Sequence, residues 1–177
     1  MKVLITGFPG MGKSAIATEL KRRGHAAYDP ETIRGYGYVT DRITGKHLHP
    51  PAPVPAGWFD TVGAQTWDQL KMRHLLAQPE DQFICGFAHN IHEFYEFFDY
   101  IFILTLDDVE LEQRLLERRG SRIGKDAVEL ADIMRLHHQY ERSLLARGAI
   151  ALNTQHGVPE LVDTILRACE QTLTDKR

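Results

Sequence analysis

The stretch Gly7-Phe8-Pro9-Gly10-Met11-Gly12-Lys13-Ser14 follows the apolar run Val3-Leu4-Ile5 and fits the pattern G-x-x-x-x-G-K-[ST] at every fixed position. The glycines allow the backbone to wrap around a polyphosphate, and the helix that opens near Lys13 adds its positive dipole end. The sequence therefore predicts a Walker A phosphate-binding loop; the alternative is a glycine-rich turn without a ligand. In such a loop Lys13 bridges the β- and γ-phosphates and Ser14 holds Mg²⁺. The candidate nucleotide-binding residues here are Gly7, Pro9, Gly10, Met11, Gly12, Lys13, Ser14 and Ala15.

The bulk composition predicts one ordinary globular domain over residues 1–177. A formal charge of −3 and a pI of about 6.3 give no sign of the excess positive charge that binding to nucleic acid or an anionic membrane requires. Cys85 and Cys169 are far apart and form no metal or redox spacing, which predicts core thiols in a reducing compartment. No apolar run is long enough to span a membrane, and the first residues do not resemble a signal peptide. We expect a soluble cytoplasmic protein.

Apolar runs and helical periodicity alternate along the chain. Strands are predicted at residues 2–6, 25–28, 83–85, 100–106 and 149–152. Helices are predicted at 13–23, 90–98, 107–119 and 126–147, with a last one near the C-terminus. Because strands and helices alternate, the predicted fold class is α/β. Helices cover both faces of a five-stranded parallel sheet, which gives three α/β/α layers.

Residues 30–57 change character, with several Gly and Pro residues that predict an irregular surface insertion. Residues 58–77 are predicted to be helical, with Trp58, Trp67, Leu70 and Leu75 facing inward. We expect the whole segment 30–77 to be a mobile, substrate-covering insertion. The proline run at 50–55 could instead bind a partner as a polyproline helix.

Two classes of phosphate-loop protein lack support in the remaining sequence. A GTPase carries an N-K-x-D base-reading motif, but the predicted fourth and fifth strands end in Leu104-Thr105-Leu106-Asp107 and Leu152-Asn153-Thr154-Gln155. An AAA-type ATPase ends a strand in paired acids, but the predicted third strand ends in Cys85-Gly86. Asp107-Asp108 is better interpreted as a helix cap.

The layout of nearly the whole chain resembles the small P-loop kinases grouped with shikimate, gluconate and adenylate kinases. The run Tyr28-Asp29-Pro30-Glu31 resembles the D-x-D that follows strand two in shikimate kinases. That resemblance implies that Asp29 is the catalytic base or a metal ligand and that Glu31 touches the substrate. The acceptor hydroxyl must lose its proton as it attacks the γ-phosphorus. A carboxylate at the carboxyl end of a strand can reach this hydroxyl and accept the proton. The alternative is a turn residue before Pro30.

The segment 114–126 resembles the lid of these kinases, because four arginines lie within nine residues from Arg114 to Arg122. Arginines on a closing lid neutralise the transferring phosphoryl group and exclude water. The resemblance implies catalytic roles for Arg118 and Arg122 and nucleotide contacts for Arg114 and Arg118. A solvated basic helix end is the alternative for Arg118 and Arg119.

The chain departs from adenylate kinases at Ile84-Cys85-Gly86-Phe87-Ala88-His89, where those enzymes have a D-G-F-P-R-type run. This departure weakens the case for a nucleoside-monophosphate acceptor. Gly86 and His89 are candidate substrate-binding residues. His89, Asn90 and His92 could line the acceptor pocket together or bind metal. Arg34 could bind an anionic or ring-shaped acceptor, or it could be an exposed loop residue with no role in binding.

The turn after the predicted fifth strand, Asn153-Thr154, resembles the one over the adenine in this kinase group. Together these features predict ATP- and Mg²⁺-dependent phosphoryl transfer to a small-molecule acceptor such as a metabolite, nucleoside or nucleotide. The alternative is an ATP-binding regulatory or accessory protein with little transferase activity.

Overall fold

The computed structural model describes residues 1–51, 55, 57–117 and 127–175. Five parallel strands form the central sheet: β1 (Lys2–Thr6), β2 (Ala26–Tyr28), β6 (Gln82–Cys85), β7 (Tyr100–Thr105) and β8 (Ile150–Asn153). Their spatial order is β2-β6-β1-β7-β8. The other three strands are β3 (Gly37–Asp41), β4 (His47–Leu48) and β5 (Gly63–Trp67). The α-helices are α1 (Lys13–Arg22), α2 (Trp58–Thr61), α3 (Gln69–Leu76), α4 (Asp108–Glu117), α5 (Ala127–Leu145) and α6 (Val158–Asp175), and Ile91–Phe97 forms a 3₁₀ helix.

Strand β1 lies at the centre of the sheet and is covered on both faces. Its register pairs Val3 with Phe83 of β6 on one side and with Tyr100 of β7 on the other. Alternate side chains enter different layers: Val3 and Ile5 pack with α1, α4 and α6, whereas Leu4 packs with α3 and the 3₁₀ helix. The predicted three-layer α/β fold with a five-stranded parallel sheet is confirmed. Both cysteines are free and buried, as core thiols should be.

The segment between β2 and β6 contains a second, antiparallel sheet of order β4-β3-β5. Its longest ladder pairs Gly37 with Trp67 and Asp41 with Gly63. The prediction that residues 30–57 contain no regular element is therefore wrong, because two of the three strands lie there. Residues 52–54, within the proline run at 50–55 predicted as a possible partner ligand, lie outside the described residues, as does residue 56.

The prediction of one helix over residues 58–77 is also wrong, because β5 separates the short helix α2 from α3. Trp67 is fully buried and Leu75 is buried, as expected, but Leu70 is 82 % exposed. The ladder with β3 holds residues 63–67 extended, so Leu70 and Trp67 do not share the face of a single helix.

None of the helices in the described part of the chain combines the length and the apolarity that crossing a bilayer requires.

Candidate active site

The phosphate-loop sequence connects β1 to α1 at the carboxyl edge of the central sheet. Gly10 and Gly12 have φ values of 89° and 91°, in the left-handed region that favours glycine. A Cβ on Gly10 would also lie 3.3 Å from Leu115 Cδ2, so this position has little room for a side chain. Helix α1 begins after Gly12 without a side-chain cap, so no side chain competes with an anion at its first turn. The Met11 side chain packs in the core, which leaves only its backbone for a ligand.

Lys13 folds back over the loop. Its Nζ donates hydrogen bonds to the carbonyl oxygens of Gly7, at 2.7 Å, and Phe8, at 3.1 Å. The ammonium group is therefore held at the rim of the loop, where an incoming phosphate can replace these carbonyl oxygens.

A direct contact joins the phosphate loop to the end of strand β2. Ser14 Oγ donates a hydrogen bond of 2.7 Å to Asp29 Oδ2, and Asp29 is only 5 % exposed. Asp29 Oδ1 accepts from the backbone N–H of Glu31 at 3.1 Å, which forms an Asx turn before Glu31. The turn role and the site role of Asp29 are thus compatible. A hydroxyl and a carboxylate oxygen side by side are the hard donors that Mg²⁺ prefers, so these two residues fit the ion.

A cavity of about 920 Å³ opens beside this contact. Its walls are formed by the phosphate loop, by the segment with the second sheet, by the turn after β6 and by α5. Aromatic rings meet on one wall, where the Phe8 centroid lies 5.2 Å from Phe87 and 5.9 Å from Tyr140. Polar and charged groups on the cavity wall are contributed by Lys13, Ser14, Glu31, Arg42, Gln65, His89, Arg114, Glu117, Gln139 and Ser143. The cavity is large enough for a small ligand and offers it both ring faces and hydrogen-bonding groups.

Arg42, at the end of the β3 ladder, is a cavity residue that sequence reasoning missed. Its Nε donates to the carbonyl oxygens of Phe59, at 2.9 Å, and Gly63, at 3.1 Å, so the guanidinium is held by main chain. Within the described residues it forms no ion pair with a carboxylate. Its position depends on pairing between segments distant in sequence, and no spacing pattern in the sequence signals it.

His89 lies beside Arg42 at the cavity rim, where the sequence predicted a substrate contact. Arg42 Nη1 lies 3.4 Å from His89 Nδ1, which accepts a hydrogen bond if the imidazole is neutral. Partial burial, Arg42 and His92 all lower the pKa of His89 below its ordinary value, which favours the neutral ring. His89 therefore offers the cavity an uncharged hydrogen-bonding group.

Other predicted acceptor residues lie away from the cavity wall. Arg34 is in the exposed turn between β2 and β3, and His92 is exposed on the 3₁₀ helix. Gly86 packs against the Trp67 indole, because a Cβ there would lie 2.8 Å from Trp67 Cζ2. The Asn90 side chain is buried, and both of its amide atoms bond to the Trp67 main chain, so its role is structural.

Two predicted nucleotide contacts, Arg114 and Thr154, lie together. Arg114 Nη2 donates to the Thr154 carbonyl oxygen at 2.9 Å, and Nη1 donates to Thr154 Oγ1 at 3.2 Å. The same guanidinium pairs with Glu110 one turn earlier. Asn153 is exposed beside them. The predicted lid residues Arg118 and Arg122 lie outside the described residues.

Comparison with solved structures identifies the class of fold. A gluconokinase from Sinorhizobium meliloti superposes with a TM-score of 0.58 at 13 % identity, over 99 % of this chain and 97 % of that one. A shikimate kinase from Aquifex aeolicus has a TM-score of 0.58 at 14 % identity, over 98 % and 99 % of the two chains. A deoxyadenosine kinase from M. mycoides has a TM-score of 0.53 at 13 % identity, over 97 % and 100 %.

No protein-family model matches the sequence, and no curated protein matches it either. At these identities the structural matches establish the fold. The chain has the α/β fold of the small P-loop kinases, as the resemblance noted in its sequence led us to expect.

Proposed function

We propose that this protein transfers the γ-phosphoryl group of ATP to a small-molecule acceptor bound in the cavity beside the phosphate loop. The observation that carries the proposal is the 2.7 Å contact between Ser14 and Asp29. This contact joins a buried carboxylate to Ser14, the residue proposed to hold the metal, and Ser14 lines the cavity together with Lys13 and Glu31.

Each part of the site has a proposed task. Lys13 exchanges its bonds to loop carbonyls for bonds to the β- and γ-phosphates, which stabilises the charge that develops during transfer. Asp29 accepts the proton of the attacking acceptor group or orients it. Ser14 and Asp29 would hold Mg²⁺, which neutralises phosphate charge when bound. Arg118 and Arg122 are proposed to act from the lid.

The remaining contacts are divided between the two substrates. Arg114, Asn153 and Thr154 are proposed to contact the nucleotide, because Arg114 on α4 bonds to Thr154, which directly follows the last residue of β8. Glu31 and His89 are proposed to contact the acceptor. Glu31 is oriented toward the cavity by a 3.2 Å bond that its Oε1 accepts from the Phe87 N–H. The second sheet, which supplies Arg42 and Gln65, completes the acceptor side.

The test is incubation of the protein with Mg²⁺·ATP and a pooled extract of small metabolites, with mass spectrometry for new phosphorylated species. Lys13→Ala should lower transfer by about 10²–10³-fold, because removing one preorganised donor costs about 2.7–4 kcal/mol of transition-state stabilisation. Lys21→Ala is the matched control, since Lys21 is an exposed lysine at the far end of the same helix.

Asp29→Asn separates transfer from binding. It should retain ATP affinity and reduce transfer by about 10²–10⁴-fold, the usual contribution of a general base. Normal transfer by this variant, or by Lys13→Ala, would refute the proposed mechanism. ATP binding without any transfer by the unmodified protein, assayed with the whole pool, would favour the regulatory alternative.

A further inference from the structure

A cluster of metal-ligating side chains lies on α5 outside the cavity wall. His137, His138 and Glu141 each place a ligand atom within 4.8 Å of the others. His137 is fully buried, and neither of its ring nitrogens has a hydrogen-bond partner in the part of the chain that the structure describes. Buried polar atoms without a partner are rare in native proteins, so this imidazole requires an explanation.

One distance within the cluster matches that between two ligands of one ion. His137 Nε2 lies 3.4 Å from Glu141 Oε2, one helical turn away. In a tetrahedral site with bonds of about 2.0–2.1 Å, two ligand atoms lie about 3.3 Å apart. His137 and Glu141 therefore already have the separation of two ligands, and a ligand atom of His138 lies within 4.8 Å of both.

A fourth residue orients the cluster from the neighbouring helix. His138 Nε2 lies 2.9 Å from Asp108 Oδ1, at the start of α4. A carboxylate bonded to an imidazole is the usual outer-shell arrangement that fixes the ring of a metal-binding histidine. An ion here would connect α5 to α4.

We propose that His137, His138 and Glu141 bind a divalent transition-metal ion of the zinc or cobalt type, with Asp108 orienting His138. Two imidazoles and one carboxylate suit such ions, whereas Mg²⁺ prefers a shell of oxygen ligands.

The expected role of the ion is structural. The His137 ring packs edge-on against Phe8 of the phosphate loop, with 5.9 Å between the ring centroids. A metal ion would thus stiffen the part of α5 that supports the loop. This site is distinct from the Ser14 and Asp29 pair proposed for Mg²⁺.

The test uses the full chain, expressed without a polyhistidine tag, stripped with a chelator and free of nucleotide. Co²⁺ titration followed by visible absorption should show one tetrahedral site per chain, and Zn²⁺ should displace the cobalt. Glu141→Gln and His138→Ala should each weaken Co²⁺ binding by at least about tenfold, and Asp108→Asn by about 10–100-fold. These three side chains are partly exposed, and circular dichroism checks that the variants fold.

His156→Ala is the matched control. His156 and Glu160 have the same one-turn spacing and lie 3.3 Å apart, but this pair is exposed and the described residues give it no third ligand. The control should bind Co²⁺ as the unmodified protein does. The proposal is overturned if the unmodified protein shows no saturable binding, if Glu141→Gln and His138→Ala bind with unchanged affinity, or if His156→Ala abolishes binding.

Discussion

The side chain of Asn90 attaches the second sheet to the central domain, and its replacement by alanine should destabilise the protein strongly. Asn90 Oδ1 accepts a 2.9 Å hydrogen bond from the Trp67 N–H, and Asn90 Nδ2 donates a 3.0 Å bond to the Trp67 carbonyl oxygen. The adjacent His89 N–H donates to the Gln65 carbonyl oxygen at 2.7 Å. Residues 89 and 90 therefore pair with the edge of β5 that does not face β3.

The size of the destabilisation follows from the two Trp67 main-chain groups that lose their hydrogen-bond partners in Asn90→Ala. Trp67 is fully buried and Asn90 is 8 % exposed, so water has poor access to the two main-chain groups that lose their partners. An unsatisfied buried polar group costs about 1–3 kcal/mol, so the free energy of unfolding should fall by about 2–6 kcal/mol. This is a large fraction of the stability of an ordinary domain.

Urea unfolding measures this loss as a lower midpoint at unchanged slope. The other asparagine, Asn153, is exposed and bonds locally to Gln155, so Asn153→Ala should change stability by no more than about 0.5 kcal/mol. Asn90→Asp should also be destabilising, because a carboxylate has no N–H for the Trp67 carbonyl oxygen. A loss below about 1 kcal/mol in Asn90→Ala would refute the reasoning, since it would mean that the two Trp67 groups find other partners.

Two further predictions concern the β3–β4 hairpin. Hydrogen bonds from the backbone and hydroxyl of Thr44 lower the pKa of Asp41 from its ordinary 3.8. Asp41 therefore stabilises the fold above that value, and the stabilisation is lost as pH falls through the lower pKa of the folded state. Asp41→Asn should be less stable than the unmodified protein at neutral pH, and the difference in free energy of unfolding should shrink in acid. Urea unfolding midpoints at several pH values measure this difference. Arg42→Ala should raise KM for the acceptor by at least about tenfold, a loss of about 1.4 kcal/mol, while KM for ATP is unchanged. Arg34→Ala, which removes an exposed arginine away from the cavity, should leave both constants unchanged; equal effects of the two variants would contradict the placement of Arg42.

The central sheet was predictable because its strands are buried on both faces. The runs Val3-Leu4-Ile5 and Phe83-Ile84-Cys85 are continuously apolar, which indicates parallel strands without reference to any neighbour. The predicted strands and most predicted helices consequently agree with the structure to within a few residues. The turn between β1 and α1 was predictable for a different reason, since its backbone conformation requires glycine at Gly10 and Gly12.

The second sheet was not predictable, because its strands have neither a continuous apolar run nor glycines at fixed motif positions. All five residues of β3 are half-buried, and they form neither an apolar run nor a polar-apolar alternation. What holds β3 extended is its ladder with β5, more than twenty residues later. Local propensity says little about a strand whose stability comes from such distant partners.

The same reasoning explains why the nucleotide side of the candidate site was easier to find than the acceptor side. Phosphate binding depends on backbone N–H groups and one lysine, and this geometry leaves a fixed pattern in the sequence. In the proposed function an acceptor contacts side chains such as Arg42 and Gln65, which are brought to the cavity wall by the fold of the second sheet. Because this sheet contributes surface to the cavity but only part of the core, its cavity-facing positions can change with the acceptor at little cost to the central fold. The chemical identity of the acceptor should therefore be sought by varying the cavity-facing residues of β5 and the β3–β4 hairpin, with the phosphate loop held constant.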